Sequence, residues 1–425
     1  MKNIILVLFA LLSLQAHSQF QLNGELRPRL ENRHGYQTLA DSLDNSATFI
    51  SQRTRLSAFY QKDQLKTGIS IQDVRTWGSQ SQLNATDGLL SIHEAWFEYK
   101  LIKNLSLKAG RQELVYNDHR IFGNTDWGNQ GRSHDLMLVK FNDSTWTVHT
   151  GFAFNQDKEQ LNTTRYTVTN SYKAMQFLWI NKKINKIDAS LLFVNNGIQS
   201  PLTKAGIRYN QVTGVHLEYN TNQNNLVIKG YYQSGHDGSI NRKNISAFLG
   251  GLEYNYKTNK NISLAIGFEH LCGQSQTDTS KSYTNMVHYF TPLYGTGHKF
   301  NGYMDYFYAG NSHGNVGLRD FYLRFKFQRE KFFIFIEPHY FMSAANVLDN
   351  KYLIETGQVR SMEKNLGTEI DLSIGYSPSK LISFKAGYSQ MFGTSTLETI
   401  KGGDKDEINN WAYFMITVKP EFIVK

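Results

Sequence analysis

The segment QLNGELRPRLE, Gln21 to Glu31, alternates without a break. Leu22, Gly24, Leu26, Pro28 and Leu30 share one parity; Gln21, Asn23, Glu25, Arg27, Arg29 and Glu31 share the other. Successive side chains of a β-strand point to opposite faces, so an extended chain here has one apolar and one charged face. The same period returns downstream. In NISLAIGFEH (261–270), Ile262, Leu264, Ile266 and Phe268 oppose Ser263, Ala265, Gly267 and Glu269. In TEIDLSIGYSP (368–378), Ile370, Leu372, Ile374 and Tyr376 oppose Glu369, Asp371, Ser373 and Gly375. In WAYFMITVKP (411–420), Phe414, Ile416 and Val418 share a face. A soluble sandwich would bury such faces between two sheets. A barrel in lipid turns them outward.

Composition agrees with the barrel. The 425 residues include 24 Tyr and 27 Phe but only 6 Pro, and mean hydropathy is −0.45. No stretch after residue 18 approaches the roughly 20 apolar residues of a transmembrane helix. No linker, charge block or shift in composition divides the chain, so 19–425 reads as a single domain. The opening MKNIILVLFALLSLQAHSQ has a lysine, an apolar run from Ile4 to Leu14 and the small-residue site Ala16-His17-Ser18. This predicts a signal peptide over 1–18, directing the mature chain to the outer membrane of a Gram-negative cell. The single cysteine, Cys272, excludes an intramolecular disulfide and is expected to be a buried thiol.

The connections alternate in length. Short polar turns are expected at 61–64, 102–104, 142–144, 182–186, 221–225, 257–261, 328–331 and 377–380, with longer loops between them. Short periplasmic turns and long extracellular loops mark bacterial barrels. Eight turns join sixteen strands, and the first and last strands make eighteen; sixteen is the alternative count. The strand-like segment KFNGYMDYFYAG (299–310) would make an odd number. It is therefore assigned to a long outer loop, 273–315, free to fold into the lumen. A second long loop is expected at 114–133.

A barrel of this size is wide enough for an aqueous channel. Parity turns Arg27, Arg29, Arg53, Arg55 and Arg324 inward, with Lys66, Lys108, Lys326 and Lys385. It also turns Glu25, Glu94, Glu98, Glu253, Glu269, Glu337, Glu369 and Asp371 inward. The formal net charge is +9. Guanidinium holds carboxylate and phosphate with paired donors and stays charged, so an arginine row favours anions. The competing role is structural: each arginine pairs with an inward carboxylate and stiffens the wall.

QDVRTWG (72–78), HEAWFEYK (93–100), LKAGRQELVYNDHRIFGNTDWGNQGRSHD (107–135) and GHKFNGYMDYF (297–307) resemble the alginate-export family of outer-membrane porins, in its Bacteroidetes-type branch. The resemblance implies an 18-stranded all-β transmembrane antiparallel barrel that passes acidic polysaccharide through an arginine-lined pore. Carried over by residue, it implies that Arg75, Arg111, Arg120 and Arg132 meet uronate carboxylates, with Asp73, Asp118, Asp126 and Asp135 orienting them. Arg111 has the outward parity of Leu105, Leu107 and Ala109, so strict alternation opposes its implied place. Within NDHRIFGNTDWGNQGR (117–132), three glycines permit tight reversals. The segment is expected to fold back and carry the selectivity element, with Trp127 as a packing or stacking plane.

Other chemistry has little support. The histidines are scattered, with no HExxH and no close His/Cys spacing, and no cofactor is implied. His93, His216 and His339 have inward parity and read as wall residues. GGDKDE (402–407) reads as a solvated loop rather than a calcium site. Trp96, Tyr303 and Tyr306 are candidate sugar-stacking rings, against the interfacial girdle that accounts for most barrel aromatics. Cations alternate along strands instead of forming a surface run, which excludes nucleic acid. The expected partners are an anionic sugar polymer or small anionic solute and outer-membrane lipid. A general small-solute porin is the alternative function, and a barrel enzyme the more distant one.

Overall fold

The structure, a computed structural model, describes residues 19–84, 86, 88–202, 206–307 and 314–424; the expected signal segment lies outside them. Eighteen strands close an antiparallel barrel. They are β1 (Gln19–His34), β2 (Ala47–Lys62), β3 (Leu65–Thr76), β4 (Leu90–Ile102), β5 (Leu105–Gln112), β6 (His134–Asn142), β7 (Trp146–Phe154), β8 (Ala174–Ile184) and β9 (Ile187–Gln199). The ring continues through β10 (Ile207–Asn220), β11 (Asn224–His236), β12 (Asn244–Lys257), β13 (Ile262–Leu271), β14 (Leu318–Arg329), β15 (Phe332–Met342), β16 (Asn365–Ser379), β17 (Ile382–Gly393) and β18 (Asn409–Val418). Sequence neighbours pair throughout. β1 closes the ring: Leu30 faces Ile50 of β2 on one side and Phe414 of β18 on the other. Closure is obligatory in lipid, where an unpaired sheet edge has no water to satisfy it.

All eight expected short turns are present, and the loops at the other end are longer, up to the span 272–317 between β13 and β14. The described part of KFNGYMDYFYAG, 299–307, belongs to that loop and forms no barrel strand. One element goes beyond the sequence reading. After Pro420 the chain pairs again, and Glu421–Val424 runs along β1 with Leu22 opposite Ile423.

The outward parity is apolar and exposed, as at Leu26, Ile69, Leu252, Ile266 and Leu323. Trp146, Tyr219, Tyr254, Tyr256, Phe332 and Tyr376 ring the short-turn end, the place of an interfacial girdle. The inward parity contains directly paired glycine–aromatic couples: Gly151–Phe177, Gly214–Tyr231, Gly267–Tyr322, Gly375–Phe333 and Gly387–Tyr413. A Cβ on any of these glycines would lie 2.0–2.1 Å from the facing ring. Each ring therefore lies flat over its glycine, a cross-strand pairing that also covers the bare backbone.

Because Ile266 sits midway along β13 on the lipid face, Ile266→Arg should cost about 2–4 kcal/mol. Ser263→Arg, on the lumen face of the same strand, should cost clearly less. Urea unfolding in lipid vesicles measures the difference.

Candidate functional site: the loops inside the lumen

The segment after β5 folds inward and spans the lumen. Tyr116 packs on β8 through Phe177 and Trp179, with ring centroids at 5.6 and 4.8 Å. Positive φ at Asn117 and His119 reverses the chain. Phe122 then bridges to Tyr294 of the 272–317 loop: Tyr294 N–H donates to the Ile121 carbonyl at 3.0 Å, and Gly123 N–H to the Tyr294 carbonyl at 2.9 Å. Gly123 is required at this crossing, since a Cβ would stand 2.2 Å from Thr296 Oγ1. The two inward loops thus form one unit, fixed by backbone hydrogen bonds.

Residues 125–130 then lie against β1 and β2. Arg27 donates to Asp126 Oδ2 at 3.0 Å, to the Asp126 carbonyl at 2.7 Å and to Asn129 Oδ1 at 3.0 Å. Arg53 donates to Asp126 Oδ1 at 2.8 Å and to Glu25 Oε1 at 2.5 Å. Arg29 donates to Glu31 at 2.8 Å and to the Trp127 carbonyl at 2.7 Å. Arg55 donates to Gln72 Oε1 at 2.7 Å and lies 3.9 Å from Glu113. Both faces of the Trp127 indole are occupied: Arg29 lies 4.0 Å from its centroid, and His298 stacks on it at 4.4 Å. Trp127 is therefore a packing plane, and Lys385 stands 5.9 Å from its centre.

Two cavities meet at this segment. One, of about 580 Å³, opens toward the short turns and is lined by Glu25, Arg27, Asp126 and Lys419. The other, of about 480 Å³, opens toward the long loops and is lined by Arg29, Glu31, Arg33, Trp127 and Asn129.

Asp118 and Arg120 bind the opposite side of the loop to the wall. Asp118 accepts from Lys229 at 2.8 Å. Arg120 is buried, donates to Glu269 and to Asn301 Oδ1 at 3.0 Å, and lies 4.5 Å from the Phe300 ring. The 272–317 loop continues to β16, where Met304 N–H donates to Glu369 at 2.8 Å and Tyr303 N–H to Asp371 at 3.2 Å. The third candidate stacking ring, Tyr306, is buried and donates to the Thr38 carbonyl at 3.1 Å. The fourth, Trp96, is covered by Lys108, 3.9 Å above its centre. Arg324 is held between Glu253 at 3.0 Å and Glu337 at 2.6 Å. It lines a third cavity, of about 470 Å³, together with His339 and Asp118. His93 bonds Glu113 at 2.7 Å, a wall contact.

Five residues implied by the resemblance make none of the Arg27, Arg53 and Asp126 contacts. Arg75 pairs with Asp73 at 2.5 Å, and both share the parity of Ile69 on β3; Arg75 nonetheless borders the 480 Å³ cavity lined by Arg29 and Trp127. Arg111 pairs with Asp135 at 3.0 Å. The register of β5 against β6 runs unbroken from Leu105 to Gln112, so no bulge turns Arg111 inward. Arg132 donates to the Gly295 carbonyl at 2.9 Å and lines a separate outer cavity with Tyr166, Tyr172 and Tyr294. Among the described residues no group of three or more His, Cys, Asp or Glu forms a metal site, and 402–407 holds none.

Sequence reasoning missed Glu31, which is fully buried and accepts from Arg29, Arg33 and Trp411. Its spacing of two from each arginine was a legible signal. Asn129, His298 and Phe300 had none, because loop residues follow no period.

A family model described as alginate export matches residues 18–398. No curated protein matches the sequence. Among solved structures, the fold is similar to a BenF-like porin from Pseudomonas fluorescens Pf-5, at 12% identity and TM-score 0.61, covering 95% of this chain and 99% of that one. It is also similar to OpdK of Pseudomonas aeruginosa with vanillate, at 9% identity and TM-score 0.59, covering 95% and 99%. OccK3 (OpdO) of Pseudomonas aeruginosa shows 12% identity and TM-score 0.58, covering 95% and 96%.

Burial alone would raise the Asp126 carboxyl, but the Arg27 and Arg53 guanidiniums outweigh it and hold the group at about 2. A depressed carboxyl stabilises the docked loop above its ordinary value near 3.8 and loses that contribution as pH falls toward 2. Trp127 emission on heating, taken as wild type minus Trp127→Phe, should report a loop-release temperature that is constant from pH 7 to pH 4 and falls below pH 3.

Proposed function

Because the chain belongs to the alginate-export family, an outer-membrane channel of porin architecture, we propose that it passively conducts anionic solutes, acidic sugars foremost. The observation that supports this is the charge along one side of the lumen. On the inward parity of β1 and β2, Arg27, Arg29, Arg33, Arg53 and Arg55 stand against Glu25, Glu31, Glu113 and Asp126. Cations are in excess there, beside cavities on both sides of the loop segment. A cleft lined by one sign of charge concentrates counter-ions, and guanidinium pairs with carboxylate through two parallel donors.

One observation favours the alternative, a general small-solute porin. The arginines are paired, and β13 to β16 add an acidic sector of Glu269, Asp320, Glu337, Glu369 and Asp371, which lowers net selectivity. Both readings are passive conduction, and the porin architecture speaks for passage rather than catalysis.

Reversal potentials in planar bilayers under a KCl gradient test the proposal. The wild-type channel should prefer chloride, and Arg55→Gln should move the reversal potential toward zero without loss of the folded barrel. Cation preference in the wild type would overturn the anionic reading.

A further inference from the structure

Asp126 differs from its partners in exposure. The Arg27 and Arg53 side chains are 6% and 1% exposed, whereas the Asp126 side chain is 54% exposed. Its carboxylate therefore covers two guanidiniums from the side of the 580 Å³ cavity, which opens toward the short turns. Arg27 Nε is also buried and has no hydrogen-bond partner among the described residues, with Glu25 Oε1 4.0 Å away. The guanidinium pair thus has a donor to spare while its front is occupied by the chain's own carboxylate.

Release of Asp126 needs only rotation of its half-exposed side chain. Thr125 and Gly131 have positive φ at 52° and 65° and bracket the segment. Trp127 is fixed independently by Arg29 and His298. The Asp126 side chain can rotate into the cavity while the indole stays in place.

We propose that Arg27 and Arg53 form a carboxylate-binding site which Asp126 occupies as an internal competitor, so that an anionic solute entering from the short-turn side binds by displacing it. This rests on the reading of the lumen as an anion path. It adds a residue that sets affinity: Asp126 weakens binding of every carboxylate and keeps the site from retaining its cargo. An occupant that leaves readily is what conduction requires of a pore site.

The test uses full-length channel in planar bilayers, with sodium glucuronate as the probe. Asp126→Asn keeps the shape and removes the charge. It should raise the anion-to-cation permeability ratio and lower the glucuronate concentration for half-maximal current block by about tenfold. Thr296→Ala removes the side-chain acceptor of the Thr125 N–H, a contact that holds the same loop without touching either guanidinium, and should leave both quantities unchanged. In an Arg53→Gln background the effect of Asp126→Asn should shrink to near nothing. An anion-selective wild type with an unaltered Asp126→Asn would overturn the competitor while leaving the anion path standing. Equal effects from Thr296→Ala and Asp126→Asn would also overturn it, showing that loosening the loop is what matters. A cation-selective wild type would fail the underlying reading instead. Heat-modifiable gel mobility confirms a folded barrel for each variant.

Discussion

The pairing of β1 with β18 is the constraint on which the rest depends. Hydrocarbon offers no hydrogen bonds, so a sheet crossing it must return to its own first strand. Closing at eighteen strands fixes a circumference too wide for wall side chains to fill. Material from the loops then enters. The β5–β6 and β13–β14 loops occupy the lumen, held to each other by backbone hydrogen bonds around Phe122 and Tyr294. They are held to the wall by charged contacts at β1–β2, β11–β13 and β16.

Charge on the inner wall follows from the same geometry. Arg27, Arg29 and Arg53 are almost completely buried, a costly state without partners. Partners come from two sources: strand neighbours such as Glu25 and Glu31, and the inserted loop through Asp126 and Asn129. The same contacts that make burial tolerable for the arginines also set how much positive charge a passing solute meets. Stability and selectivity therefore draw on the same side chains.

The strands were legible because membrane residence imposes a rule on every residue of a strand. One parity meets lipid and the other meets the lumen, so Ile266 and Glu269 declare themselves from spacing alone. Eight short turns then give the strand number. Arg75 and Arg111 show how far parity reaches. The motif resemblance implied pore positions for both and alternation an outward parity; their registers keep that parity, yet Arg75 borders the cavity of Arg29 and Trp127 and Arg111 the cavity of Arg132 and Tyr294. The interior was less legible. Segment 117–132 could be recognised as unusual from its composition, and its entry into the lumen inferred. Its contacts with Arg27, His298 and Tyr294 join residues 99 to 172 positions apart without a repeating pattern. Aromatic rings could not be divided between girdle and lumen by type. Trp127 differs from Trp146 only in what the fold places around it.

The glycine–aromatic couples on the lumen face carry a consequence for the bore. A ring lying over Gly267 or Gly387 adds one ring thickness to the wall and projects no further. Any residue with a Cβ at those positions tips its partner toward the axis. Internal diameter is therefore written in small residues that bear no charge and touch no solute. Calibre and electrostatics are separate dials on this wall: one can be turned through glycine positions while the arginines stay as they are.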